Sequence, residues 1–519
     1  MSFSLAFDAP VPASAKDVNI LQPKIDTMTE ISFCFEVHQP LRLNKDFFWG
    51  NSPLKEVVPD LWDFYFDDAE NRRIFERVSD KCYLPANDVI LECIREHENS
   101  DRPFKVAYSF SGVFLDQCRR YRPEVLDSFV GLVDTGHVEV LEQTYYHSLS
   151  SLYEDKQEFY EQVKMHREAV WDAFGARPAT FENTELIYND EIARMVEGMG
   201  YRAIFTEGVV ADPNFVYRPK GTGLALLLRN YQLTDDIGFR FSARSWPEYP
   251  LTADKYAAWL ACTPGQCINI FCDYETFGEH QWADTGIFEF LRRLPGEMLR
   301  YENLRFATPG EIAGKIAPKE ELSVVDYVSW ADLERNTSCW LGNGLQHACF
   351  LYQKRLEAPV KESGDGDLLK IWRTFGLSDH LYYIFTHGGG PGEVHSYFSP
   401  YGIPYDAAVT YFSVLCDLHF RLKKQIRLAD SPFRFAVGKD RFTGSVAWSL
   451  AGLKSAIEGA DIDSLEYHSQ NGDMASWAET SLGDESLAKR LSELQDSRGE
   501  RLRTELLAAV DAALKGDRK

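Results

Sequence analysis

Residues 31–40 read ISFCFEVHQP. The apolar run is too short for a helix and reads as a buried strand, with His38, Gln39 and Pro40 just past its C-terminal end. The signature recurs. FKVAYSF at 104–110 is the next strand, ending in Ser111 and Gly112. Further strand signals lie at 138–141, 179–182, 203–205, 225–228, 267–272 and 304–307. Longer amphipathic stretches separate them. Residues 122–134 read as a helix stopped by Gly136, and residues 155–174 place Phe159, Val163, His166, Val170 and Phe174 at helical spacing. Residues 190–199, closed by Gly200, and residues 285–294 are further helices. Strands alternating with helices imply βαβ units and parallel pairing. About seven such units predict an α/β fold, a TIM-like barrel not tied to the ideal eightfold form. Barrel enzymes keep their chemistry just after the strands. The most reactive-looking polar residues fall there: His38, His147, Glu185 and Asp273.

The alternation stops after Pro309. Helical stretches follow at 344–356, 367–385 and 405–427, with the polar segment KESGDGD at 361–367 as a loop. The expected organisation is therefore a barrel over 29–309 and a helical domain over 310–430. Residues 431–519 read as a small, mostly helical C-terminal module, opened by strand-like FRFAV and SVAWSL. One long amphipathic helix over 485–514 carries leucines at 487, 491, 494, 502, 506 and 507. That stripe reads first as packing, and it permits a homodimer. Residues 1–28 are rich in Pro, Ala, Ser and Lys and read as a flexible N-terminal arm without the basic start of a secretory signal. Met28 is an alternative start.

Acids outnumber bases, 79 to 55, so the net charge is 55 − 79 = −24. Nucleic acids and anionic membranes are poor partners for such a surface, because phosphate binding needs a basic face. No apolar run approaches the roughly 18 residues of a membrane helix. Most of the ten cysteines sit inside apolar segments such as VILEC and INIFC, as buried thiols in a reducing compartment would, which points to the cytoplasm. Cys262, Cys267 and Cys272, five apart, match no zinc or iron–sulfur spacing.

Two acidic clusters stand out. FENTELIY at 181–188 ends a strand and sets Glu182 and Glu185 three apart among aromatics. Helix capping is the bland account of Glu185, but Asp190 and Glu191 suit that role better by position. DYETFGEH at 273–280 runs from a buried strand into Asp273, Glu275 and Glu279. Strand alternation puts Asp273 and Glu275 on one side while the strand continues. Crowded carboxyls raise one another's pKa, as a general acid requires. Two carboxyls on separate strand ends, ringed by aromatics, are what glycoside hydrolysis needs. The histidines have no H-x-x-x-H spacing on one face, so they read as neutral imidazoles that bond sugar hydroxyls or the acids rather than as metal ligands.

Five stretches in chain order now carry a resemblance: VHQP at 37–40, GHVEVLEQTYYHSL at 136–149, FENTELIY at 181–188, DYETFGEHQ at 273–281 and WADLERNTSCWLGNGLQ at 330–346. The sequence resembles glycoside hydrolase family 57 over about residues 29–425 and looks closest to its α-amylase branch. The resemblance implies a (β/α)7 barrel and a helical domain that completes the active site. It implies Glu185 as nucleophile and Asp273 as general acid/base, acting with retention on α-1,4 or α-1,6 glucans such as starch, glycogen or maltodextrin, without metal or other cofactor. It makes His38, Glu36, Gln39, His147, Tyr145, Glu275 and His280 substrate-binding. Trp330, Asp332 and Glu334 become cleft residues, with a helix start capped by Asp332 as the competing account. If water is the acceptor, the implied enzyme is an α-amylase. If a glucan is the acceptor, it is a 4-α-glucanotransferase or branching enzyme. A glucan-binding protein that retains the barrel without catalysis, or a metal-dependent barrel hydrolase, are readings of other classes. Two departures stand out: Glu36 where some branches carry a second histidine, and Asn336 where the amylase branch leads one to expect an acid.

Overall fold

The computed structural model describes residues 28–50, 54–386 and 399–516. The expected arm at 1–28 lies outside the described residues except for Met28. Seven parallel strands form a nearly closed ring in chain order: β1 Thr29–Val37, β2 Val106–Phe110, β3 Val138–Leu141, β4 Thr180–Phe181, β5 Ala203–Glu207, β6 Ala225–Arg229 and β7 Cys267–Asp273. On one edge of β1, residues 34–37 pair with 107–110 of β2. On the other, residues 30–36 pair with 267–273 of β7.

Two seams are thin. β3 and β4 meet through a single bridge, Glu142 to Phe181. β6 and β7 share only the pair Arg229 and Asn269. Side chains reinforce the second seam. The Asn269 amide donates to Leu228 O at 3.0 Å, and its carbonyl accepts the Ser32 hydroxyl at 2.7 Å. Asn269 is fully buried, so both bonds are needed to offset its desolvation.

The eighth strand signal forms β8, Leu304–Phe306, outside the ring. It pairs with residues 29–31 of β1. β1 has nine residues and β2 only five, so the lower half of that edge of β1 is free for it. The ring therefore has seven strands, because the eighth is spent on a vacant edge.

Side-chain alternation sorts the ring into layers. Phe33, Phe35 and Val37 of β1 point outward into an aromatic layer with Tyr108, Phe114 and Tyr274. Cys34 points inward and packs with Ala107, Ala203, Ala225 and Phe271. Three of these four partners are alanines, which suits the narrow lumen of a seven-stranded ring. Above them lies a buried polar floor of Glu36, Ser109, Gln143 and Glu182.

Helices Gly344–Arg355, Gly366–Phe375 and Pro404–Ile426 share a core with the barrel, in which Trp340, Trp372 and Leu415 join Tyr188 and Ile192. Where one helix was expected over 367–385, the chain breaks at Gly376 and Leu377 and resumes as Ser378–Tyr382. Gly376 weakens the helix at that point. The 361–367 loop is shorter than expected. A helix runs Glu357–Ser363, and Gly364, left-handed at φ +62°, ends it.

Residues 429–513 hold their own core, with Phe435, Leu453, Leu465, Leu487 and Leu506 behind the hairpin Leu428–Ala436 and Phe442–Ser449. The expected helix over 485–514 is two helices, Glu485–Ser492 and Gly499–Gly516, parted by a turn with Gly499 at φ +61°. Leu487, Leu491, Leu502 and Leu506 are all buried in that core, so these leucines of the stripe pack within one chain. Among the described residues, no helix is long and apolar enough to cross a membrane.

Candidate active site

Every strand of the ring delivers polar side chains to its C-terminal end: Glu36 and His38, Ser109 and Ser111, Gln143 and His147, Glu182 and Glu185, Glu207, Arg229, and Asp273. Glu185 occupies a short turn, Thr184–Leu186, after β4. It is left-handed at φ +60°, and Leu186 follows at φ +50°. Two adjacent non-glycine residues in that region need support from their surroundings. A loop from beyond the barrel supplies it. The Ser329 hydroxyl donates to Glu185 O at 2.7 Å, and Tyr188 N donates to Val328 O at 2.9 Å.

The same loop reaches the carboxyl. Trp330 Nε1–H donates to Glu185 Oε2 at 2.6 Å. On Oε1, His147 Nε2 lies at 3.5 Å and the Ser378 hydroxyl at 3.5 Å. The Trp330 ring rests against Phe271, ring centres 5.8 Å apart, and beneath Arg229 at 5.7 Å.

Hydrogen bonding fixes the charge of His147. The Gln143 amide nitrogen donates to Glu36 Oε1 at 2.7 Å and to Ser109 Oγ at 2.8 Å, so its carbonyl oxygen faces His147 Nδ1 at 3.0 Å. Both ring nitrogens of His147 therefore meet acceptors, which calls for an imidazolium and overturns the expected neutral ring. Burial alone would pull its pKa down, but the hydrogen bond to Glu185, with the Glu185 and Asp379 charges, outweighs burial and carries it to about 9.

His38 stacks on His147 with ring centres 4.1 Å apart. It takes the opposite form. The Ser111 hydroxyl already accepts Phe114 N–H, so its own proton goes to His38 Nδ1 at 2.7 Å. His38 Nε2–H then donates to Asp379 at 3.0 Å. Burial and the neighbouring His147 both lower the His38 pKa. Asp379 stays ionised: burial opposes this, and His38 and His147 overcome it and hold its carboxyl below the usual range.

Asp273, at the end of β7, behaves differently. Burial and the Glu185 charge raise its pKa to about 7, against the pull of His147 and Arg229. A cleft opens on it, lined by Trp330, Asp332, His280, Tyr382 and Phe239. Within the floor, burial and the adjacent Glu182 push Glu36 far above the carboxylate range, and burial carries Glu182 to about 7.

The structure thus brings together Glu185, Asp273, His147, His38 and Trp330, with Glu36 in the floor. His280 and Asp332 line the cleft, and exposed Glu334 pairs with Asp332 at the rim. Three residues lie elsewhere. Tyr145 donates its hydroxyl to Asp116 at 2.9 Å and presses on Gly112, where a Cβ would come within 2.4 Å of its ring. Gln39 is buried and accepts the Gln117 amide at its backbone carbonyl. Glu275 is buried under the Tyr83 hydroxyl, 2.5 Å away. The strand stops at Asp273 and a turn, Tyr274–Thr276, follows, so strand alternation does not carry Glu275 to the side of Asp273. Nor does Asp332 cap a helix. It is left-handed at φ +54°, and the next helix, Ser338–Leu341, has Thr337 at its N-cap.

Sequence reasoning passed over Asp379, Gln143 and a cluster of Glu207, Arg229, Asp235 and Arg335. Glu207 and Arg229 each end a buried strand, the same signal that picked out Asp273. Among the described residues no three His, Cys, Asp or Glu side chains converge as metal ligands would.

Residues 32–325 match glycosyl hydrolase family 57. The chain belongs to that family. A protein of Methanocaldococcus jannaschii bearing the name "Putative alpha-amylase" is 44% identical over 418 residues, covering 78% of this chain and 86% of that one. Among solved structures, the family 57 branching enzyme of Pyrococcus horikoshii aligns with a TM-score of 0.54 at 13% identity, over 76% of this chain and 94% of that one. The alpha-amylase AmyC of Thermotoga maritima aligns at 0.50 and 12% identity, with the same two coverages, 76% and 94%. At these identities the two structures speak for the fold. The family 57 stretch carries Glu36, His38, His147, Glu185 and Asp273, and it ends before Trp330 and Asp379.

Proposed function

We propose that this family 57 enzyme hydrolyses α-1,4-linked glucans with retention, through a covalent glycosyl-enzyme on Glu185. One observation carries the reading: Glu185 and Asp273 follow two different ring strands and are close enough for the Glu185 charge to raise the Asp273 pKa, yet each is held by a different set of partners. Glu185 takes a proton donor from Trp330 and faces the His147 cation, and Asp273 keeps its proton up to about 7. Such a split assigns a nucleophile and a general acid.

In the first half, Glu185 attacks the anomeric carbon, the glycosidic C–O bond breaks, and the Asp273 proton passes to the leaving oxygen. In the second, the Asp273 carboxylate takes a proton from water as its oxygen bonds to the anomeric carbon and Glu185 departs. His147 sets its positive charge beside the Glu185 carboxyl, and Trp330 orients the attacking oxygen. Trp330, Tyr382 and Phe239 give the cleft apolar faces for sugar rings. The name of the Methanocaldococcus relative supports an α-glucan substrate. All ten cysteines are free thiols, eight of them buried, which supports a place in the cytoplasm.

Product analysis on maltoheptaose and amylose, with EDTA present and Glu185→Gln as control, tests this. Shorter sugars with new reducing ends are expected. Longer sugars at constant reducing ends would mean glucan transfer, and new α-1,6 links would mean branching. No product, or full activity in Glu185→Gln, would overturn the assignment.

A further inference from the structure

Glu207, Arg229 and Asp235 form a buried socket with no counterpart in the chemistry above. Arg229 donates Nη1 to Glu207 Oε2 at 3.0 Å, Nη2 to Asp235 Oδ1 at 2.7 Å and Nε to Phe271 O at 2.7 Å. Glu207 Oε1 accepts Gly208 N–H at 2.6 Å. These barrel residues alone carry one positive and two negative charges, a net −1 away from water. An uncompensated buried charge is costly. Arg335 supplies the missing cation from outside the barrel. Its Nη2 meets Asp235 Oδ2 at 3.0 Å and its Nη1 meets Glu207 Oε2 at 3.1 Å. The same Nη1 donates to Trp330 O at 2.5 Å. Arg335 and Asp332 are both left-handed, at φ +50° and +54°, so the loop is held in a conformation it does not prefer.

We propose that Arg335 is a positioning residue for Glu185: plugged into the barrel socket, it fixes the loop 328–335 so that Trp330 holds the Glu185 oxygen for attack. This rests on the proposed role of Glu185. The path is short and continuous. The socket binds the guanidinium, the guanidinium holds the Trp330 carbonyl, and the Trp330 indole holds Glu185 Oε2. Arg229 lies over the indole and Phe271 stands at its edge, so the ring has little freedom once its backbone is fixed. A lysine cannot reproduce this, because a single ammonium lacks the planar fork that reaches Glu207, Asp235 and the Trp330 carbonyl together.

A double-mutant cycle of Arg335→Met and Trp330→Phe decides the matter, with kcat and KM measured separately on maltoheptaose. Each single substitution is expected to lower kcat about ten- to hundredfold, the worth of one hydrogen bond to a charged group, with KM nearly unchanged. The double variant should be no slower than the slower single one, and Arg335→Lys should stay impaired. Losses that multiply, or a loss in KM alone, would overturn the proposal. A crystal structure of Arg335→Met gives a readout independent of turnover: Trp330 Nε1 should leave Glu185, and a bond kept at its present length would overturn it. That arm still decides if the wild-type protein proves inactive on glucans. If Arg335→Met does not fold, Glu207→Gln neutralises the socket and enters the same cycle, with the same expected coupling.

Discussion

Replacing Asp273 by Asn separates its catalytic cost from its cost to folding. The carboxyl is held at about 7 against an ordinary value of 3.8, chiefly by burial and by Glu185. That difference corresponds to about 4 kcal/mol against the ionised form. Below pH 4 the carboxyl is protonated in both folded and unfolded chains and costs nothing. Between pH 4 and 7 the native state holds the proton and the unfolded state releases it, so stability falls as pH rises. Above pH 7 the full penalty applies. Asn has the same shape and no charge, so Asp273→Asn should match wild type near pH 4 and exceed it at pH 8 by up to about 4 kcal/mol, a net figure that already contains the attraction to His147 and Arg229. Activity should move the other way. Without its general acid, kcat on maltoheptaose should drop about 10²- to 10⁴-fold. The alkaline limb of kcat/KM, centred near 7 in wild type, should vanish. An aryl maltoside with a good leaving group should lose far less at the first step. Thermal unfolding from pH 4 to 8, beside pH–rate profiles on both substrates, checks all of this. An alkaline limb still near 7 in the variant, or a stability difference that ignores pH, would refute the reasoning.

His147→Gln removes the cation that lowers the Asp273 pKa, so the alkaline limb should move to higher pH, and kcat should fall about tenfold or more with the lost partner of Glu185. Glu36→Gln imitates a carboxyl that is already protonated, so the folded enzyme should keep most of its activity. Glu36→Leu strands the Gln143 amide and should not keep it, and steady-state assays separate the two. His166→Phe removes the ring that joins the fully buried Glu142 to Phe110 O at the β3–β4 seam, and should cost about 3–5 kcal/mol in urea unfolding.

The barrel was legible because its strands are short apolar runs with breakers on both sides, and strand boundaries such as 138–141 came out as read. The ring count was legible only approximately. Nothing in LRF at 304–306 says that it will pair below β2 instead of closing the circle. Glu185 and Asp273 were legible as acids at strand ends. Asp379 was not, because it lies 341 residues from its partner His38 and looked like the middle of a helix until the break at Gly376. Glu275 was read onto the side of Asp273 only for as long as the strand continued, and the strand ends at Asp273. The socket of Glu207, Arg229 and Asp235 meets its plug, Arg335, only in the fold, and each of these residues is ordinary in its own stretch of sequence.

The loop that clamps Glu185 comes more than 140 residues after it, and the helix bearing Asp379 comes later still. During synthesis the ring can therefore close around both acids before either clamp has left the ribosome. A nascent barrel would hold its two acids but lack Trp330 on one and the His38–Asp379 pair beside the other. The order of the elements thus sets the order of assembly: the two acids come first and the residues that hold them come later.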